Sequence, residues 1–281
     1  MTKRLKHLLT LIDASPFSTA AMHYAIYLAK HTDAQIKALH VVDIVALEGP
    51  FIYDISSAIG IEAFFNFTDQ VRAALELKGE TLLQSFKELC EKENVSMSTV
   101  LKTGIVSKTI LKYAEDADLT IIGKQGVNAK FERGFLGTNI ETVLRKADKT
   151  LLVVPHHFFD PQHILCGYDG SNAAKQALSW AETLSAYLKK SLIVVTVYKK
   201  DRQRAEEIIN EAKNTITGHN ISYNIIENES PLSGLLNALK KVERPILCLG
   251  AYSRTRLSEI ILGSTTEGVI KKTEIPILVS V

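Results

Sequence analysis

The sequence predicts an α/β protein, with parallel sheets covered by helices on both faces and built twice in one chain. Short runs rich in Val, Ile and Leu alternate with longer segments of helical periodicity. The stretch HLLTLIDAS at residues 7–15 returns as HILCGYDGS at residues 163–171. Behind each copy the same order of strand-like runs follows, so the repeat spans the chain. Strands joined through helices run parallel and are buried between helical layers.

Residues 8–12 read as the first strand, and Asp13-Ala14-Ser15-Pro16 as the turn after it. Pro16 suits the first turn of a helix reaching residue 31, because its missing N–H would have no helical partner there. Ala21, Met22, Ala25, Ile26, Leu28 and Ala29 give that helix an apolar face. A strand over 36–42 leads into a long segment with helical periodicity over 71–90. A strand over 96–101 passes through Gly104 into a helix over 107–115. The apolar run 119–122 then enters Gly123-Lys124-Gln125-Gly126, followed after a spacer by Gly137-Thr138, a helix from 139 and a strand over 150–155. The second half answers with a helix over 173–188 and strands over 192–197, 221–226, 245–249 and 276–281. This divides the chain into domains at 1–155 and 163–281, with a linker at 156–162 bracketed by Pro155 and Pro161.

A length of 281 residues accommodates two ordinary domains, and 46% hydrophobic with 23% charged residues fits a soluble globular protein. The net charge of +2 comes from mixed signs, which argues against a nucleic-acid stripe or a polybasic membrane patch. Cys90, Cys166 and Cys248 are isolated in apolar or helical runs and read as buried thiols, consistent with a reducing, cytoplasmic setting. Lys3, Arg4 and Lys6 precede an apolar run, but Asp13 ends it too early for an export signal. No run approaches the roughly 20 apolar residues of a membrane span.

The first half carries a longer excursion between its second and third strands, with Phe51, Ile52, Tyr53, Phe64, Phe65 and Phe67 within 51–67. Such aromatics either cover the sheet and the junction of the halves or form a lid or partner surface.

In a doubly wound sheet, ligands bind beyond the carboxyl ends of the strands. Asp13 and Asp169 each end a first strand, while Gly123 and Gly250 each end a fourth. First and fourth strands are neighbours in such sheets. Each half therefore brings a carboxylate, suited to a sugar or base, beside a glycine loop that opens a helix and suits phosphate. Ser15 and Ser171 fit as helix caps. No Walker loop is present, because Gly104-Ile105-Val106-Ser107-Lys108-Thr109 lacks the second glycine. No G-x-G-x-x-G follows the first strand, and no histidine or cysteine stands in a metal-binding motif.

The repeated strand–Asp-x-Ser–helix opening, with a fourth strand running into G-x-x-G, a spacer and G-[ST], resembles the universal stress protein family. The likeness is to its tandem members and covers essentially the whole chain. The resemblance implies two Rossmann-like, adenine nucleotide alpha-hydrolase-like domains. Each is a five-stranded parallel sheet, and the two pair about a pseudo-two-fold axis through their last strands as an intrachain pseudo-dimer. It implies ATP or AMP as ligand, with Mg only as the nucleotide's counter-ion, and a role in stress survival. Carried over by position, Asp13, Val41, Gly123, Gly126, Gly137 and Thr138 form one nucleotide site. Asp169, Val197, Gly250, Ser253, Gly263 and Ser264 form the other, with adenine meeting the backbones of Val41 and Val197. A homodimer is compatible with the resemblance; nucleic acid and membrane are not expected partners.

Both copies depart from the family pattern. Ten residues, 127–136, separate Gly126 from Gly137 where nine are expected, and Ser253 stands where the second loop should have its second glycine. If that position requires a positive φ, serine costs on the order of 1 kcal/mol there. Lys124, Lys130, Arg133, Arg254 and Arg256 are candidates to assist at phosphate. The leading reading is a nucleotide-binding sensor or regulatory module without a catalytic residue set, since no general base, metal cluster or arginine finger stands out. Slow hydrolysis or autophosphorylation on Thr138 or Ser264 stays open. The alternative is a tandem scaffold that has lost one or both pockets and acts through residues 51–67. An adenylating enzyme would need a pyrophosphate loop or a His-based signature after the first strand, and Asp13-Ala14-Ser15-Pro16 is neither.

Overall fold

The computed structural model describes residues 3–44, 61–127, 136–251 and 262–280, with 61–66 described by backbone alone. The first half runs β1 (His7–Leu11), α1 (Pro16–Thr32), β2 (Gln35–Asp43), α2 (Ile61–Lys92), β3 (Met97–Gly104), α3 (Val106–Ala114), β4 (Leu119–Gly123), α4 (Thr138–Lys146) and β5 (Leu151–Val154). The second runs β6 (His163–Gly167), α5 (Asn172–Leu188), β7 (Ser191–Tyr198), α6 (Arg202–Thr215), β8 (Ile221–Glu227), α7 (Pro231–Leu239), β9 (Pro245–Gly250), α8 (Ser264–Lys272) and β10 (Ile277–Ser280).

The strands form one ten-stranded sheet in the order β3-β2-β1-β4-β5-β10-β9-β6-β7-β8. Among the described strands every pairing within a half is parallel, and a single antiparallel seam joins β5 to β10 with Leu152 opposite Leu278. Both leucines are fully buried, so the seam is a continuation of the core. One face of the sheet is covered by α1, α2, α5 and α6 through residues such as Tyr24, Phe86, Trp180 and Ile209. The other carries α3, α4, α7 and α8 through Ile110, Val143, Leu235 and Val269. Alternate strand residues feed the two layers, and strands buried on both sides are why the runs read as continuously apolar.

The repeat holds at the level of single hydrogen bonds. Ser15 accepts from the Ser18 N–H at 3.1 Å and Ser171 from the Ala174 N–H at 3.2 Å, each capping a 17-residue helix. Both helices end on a left-handed residue, Asp33 at φ 55° and Lys189 at φ 54°. Ser171→Ala should lower stability by about 1 kcal/mol, since it orphans an amide of the first turn. Chemical denaturation of the purified chain checks this, and a change within a few tenths would deny the cap.

The stretch between β5 and β6 packs on α1. Phe158 and Phe159 meet Tyr24 edge-on at 4.8 and 6.1 Å between ring centroids, and the Phe159 N–H donates to the Tyr24 hydroxyl at 3.4 Å. The three cysteines are free and buried, with Cys166 opposite Cys248 in the register of β6 and β9. Burial pushes the Cys90 thiol up to about 12, helped by the charge of Glu91, and pushes Cys166 and Cys248 up as well. Such thiols are inert as nucleophiles. Phe51, Ile52 and Tyr53 of the aromatic excursion lie outside the described residues, Phe64 and Phe65 contribute backbone to α2, and Phe67 is 38% exposed. Among the described residues no helix is long and apolar enough to cross a membrane.

Candidate functional site

The site arises where strands of unequal length end. β1 stops with Leu11 opposite Leu39, while β2 stays paired to β3 as far as Asp43 opposite Gly104. The backbone of Val41 therefore overhangs on its β1 side. The Ile12 carbonyl, which would have continued the ladder, accepts a hydrogen bond from His40 Nδ1 at 2.7 Å. Because the acceptor is a carbonyl, this nitrogen carries the proton. The second half repeats the device with a different side chain, the Thr196 hydroxyl donating to the Tyr168 carbonyl at 2.8 Å.

Asp13 sits in the turn beyond β1. Its Oδ1 accepts from the Ser15 N–H at 2.8 Å, and its own N–H donates to Ser18 Oγ at 2.9 Å. Its Oδ2 faces the glycine loop, lying 3.1 Å from where a Cβ on Gly126 would stand. Next to it, Gly137 occupies the N-cap of α4 at φ −60° and supplies no side-chain cap, so the amides opening the helix keep their positive field for a ligand. These parts enclose a cavity of about 340 Å³, lined by Asp13, Val41, Gly123, Gly126, Gly137 and Thr138 together with His40, Asp43, Lys78, Gln125 and Asn139. Leu11, Leu39, Val106, Ile110 and Ile122 supply apolar walls. One end is thus flat and apolar beside a strand edge, and the other is rich in amide donors.

The glycines that end the fourth strands are required for packing. A Cβ on Gly123 would lie 2.6 Å from Cβ of Phe17, and one on Gly250 would lie 2.6 Å from the backbone carbon of Ala173. Each lets the first helix of its half settle against the sheet. That is a structural duty which the reading as phosphate ligands leaves out.

The second half disposes its counterparts differently. Asp169 is exposed, with Oδ1 accepting from the Ser171 N–H at 3.0 Å. Val197 is pressed by α7, so closely that a Cβ on Gly234 would lie 2.5 Å from its Cγ1. Gly263 caps α8 and Ser264 opens it, but the Gly263 N–H already donates to the Ala251 carbonyl at 2.9 Å. The Thr266 hydroxyl donates to the Gly250 carbonyl at 2.9 Å, at a position that Ile140 holds in α4. Among the described residues the first loop has no counterpart of the Gly263–Ala251 bond. Ser253, Arg254 and Arg256 lie outside the described residues, as do Lys130 and Arg133.

Lys124 corrects an expectation. It is only 8% exposed and turns away from the cavity, its Nζ donating to the Thr273 carbonyl at 3.0 Å and to Glu274 Oε1 at 2.9 Å in the second half. It cannot reach a phosphate in this arrangement. His40 and Lys78 escaped the sequence reading. His40 carries no motif, and Lys78 reaches the rim only because α2 folds back over β2, with Gly79 tight against His40. Among the described residues no cluster of three or more His, Cys, Asp or Glu could hold a metal.

The model of the universal stress protein family matches residues 4–155 and again 161–280. The chain belongs to the universal stress protein family. Universal stress protein Slr1230 of Synechocystis sp. is 27% identical over 290 residues, covering 98% of this chain and 99% of that protein. A universal stress protein of Methanocaldococcus jannaschii is 31% identical over 144 residues, half of this chain and 77% of its own length. The crystal structure of a universal stress protein from Archaeoglobus fulgidus shares the fold, with a TM-score of 0.77 at 20% identity over 98% of this chain and 97% of that one. Two universal stress protein units in one chain account for the sheet's single antiparallel seam, where the last strand of each meets the other.

Proposed function

We propose that this universal stress protein binds an adenine nucleotide, ATP or AMP, in the first-half cavity and acts as a sensor or regulatory module of the stress response. One observation carries the reading: Asp13, Val41, Gly123, Gly126, Gly137 and Thr138, far apart in sequence, line a single cavity of about 340 Å³. The overhanging backbone of Val41 offers an N–H and a carbonyl to the edge of a base between apolar walls. Asp13 stands between base and loop, where a ribose hydroxyl would donate to it. The amides of Gly126 and of the α4 N-terminus receive the phosphates, with magnesium as the nucleotide's counter-ion. Thr138 opens that helix and offers its hydroxyl to the same phosphates.

A structural role for the second half is favoured by the Gly263–Ala251 bond, which occupies a loop donor, and by the press of α7 on Val197. Calorimetric titration of AMP and ATP into the purified chain is expected to show one site per chain. Two sites of equal affinity would deny this division of labour, and no binding of either nucleotide would remove the nucleotide reading altogether.

A further inference from the structure

Lys124 belongs to the glycine loop by sequence and to the other half by contact. Its ammonium binds the carbonyl of Thr273, the residue that ends α8, and the carboxylate of Glu274 beside it. A cation at the C-terminal end of a helix is favoured by the helix dipole. Glu274 Oε2 in turn lies 3.4 Å from His156 Nδ1, and the His156 ring meets the edge of Phe17 at 5.8 Å between centroids. Phe17 is the residue against which Gly123 is packed. The contacts close a circuit, from Gly123 through Phe17, His156 and Glu274 back to Lys124. The counterpart of Lys124 in the second loop is Ala251, fully buried and without a reaching side chain. Among the described residues the grip therefore runs one way.

We infer that Lys124 is a positioning residue, which clamps the phosphate loop of the first half to the end of α8 and so couples occupancy of the cavity to the second half. The inference rests on the nucleotide reading of that cavity. The clamp fixes Gly123-Lys124-Gln125-Gly126 from the side away from the ligand, so that loop amides are held in place before a phosphate arrives. Ligand contacts on one side of the loop and the second half on the other then bias the same short backbone segment. By reciprocity, whatever loosens α8 at Thr273 weakens phosphate binding, and phosphate binding protects the end of α8.

The test compares AMP with adenosine, which lacks the phosphate, in the full chain. Lys124→Met keeps the side chain's bulk and should weaken AMP binding by about tenfold, within the range found for coupling residues that do not touch a ligand. Glu274→Gln, outside the cavity, should weaken AMP by about threefold while adenosine affinity holds, because only phosphate reads the loop. Equal losses for both ligands in Glu274→Gln, or unchanged AMP affinity in Lys124→Met, would overturn the inference. Hydrogen exchange separates its failure from that of the nucleotide reading. If the wild type binds neither ligand, that reading falls, but Lys124→Met must still speed exchange across residues 124–126 and 269–274. Unchanged exchange there means there is no clamp.

Discussion

Gly126→Val is expected to lower AMP affinity by about a hundredfold, equivalent to ~2.7 kcal/mol, while leaving the melting temperature nearly unchanged. A Cβ at this position would come within 3.1 Å of Asp13 Oδ2, so the two methyl groups beyond it press on the carboxylate or project into the mouth where the phosphate would pass. The neighbour that must yield is the tip of a side chain on a turn, and Gly126 needs no positive φ, so the fold absorbs the change. A nucleotide bound as proposed would not, because its phosphate would have to lie closer to the loop backbone than a valine permits. Titration calorimetry beside a thermal melt reads both quantities. Retained affinity with an unchanged melt would mean that the phosphate does not lie against Gly126.

Much of this site was legible because it depends on chain order. The strand–Asp-x-Ser opening fixes a turn and a cap locally, and both serines cap as their spacing suggests. The glycine loop was legible as a loop, but the duty of Gly123 and Gly250 was not. Their need for glycine comes from Phe17 and Ala173, more than 70 residues away in the chain. Lys124 read as a phosphate helper for the same reason: sequence gives its neighbours along the chain and says nothing of Thr273. The helix α6 carried a faint signal, since its buried stripe is only Ala205, Ile209 and Ala212. That the halves differ was legible in the spacer 127–136 and in Ser253, but which pocket stays open was not. That depends on how closely Gly234 lets α7 approach Val197 and on one backbone bond, from the Gly263 N–H to the Ala251 carbonyl.

Gly250→Val should be the most destabilising change among the loop glycines, at about 3 kcal/mol, the upper end of ordinary overpacking. Three atoms of α5 lie within 2.8 Å of the added Cβ, and the nearest is the backbone carbon of Ala173. Backbone cannot rotate aside, so α5 must lift from the sheet or β9 must bend. Ala173 and Ala174 sit in the first turn of α5, at the end capped by Ser171. Lifting it would strain the Ser171 cap and open the core under Ala174 and Ala177. At the usual unfolding entropy per residue, a loss of this size lowers the melting temperature by roughly 5 °C if the whole chain unfolds together and by roughly 12 °C if the second half unfolds alone. Gly263→Ala supplies the contrast. Gly263 stands at φ −57°, and a Cβ there would meet the Ala251 carbonyl only at 3.5 Å, an ordinary contact. Its stability should therefore match the wild type within about 0.5 kcal/mol. Thermal melts of the two variants side by side decide the matter, and equal destabilisation would show that packing against α5 is not what requires a glycine at the end of β9.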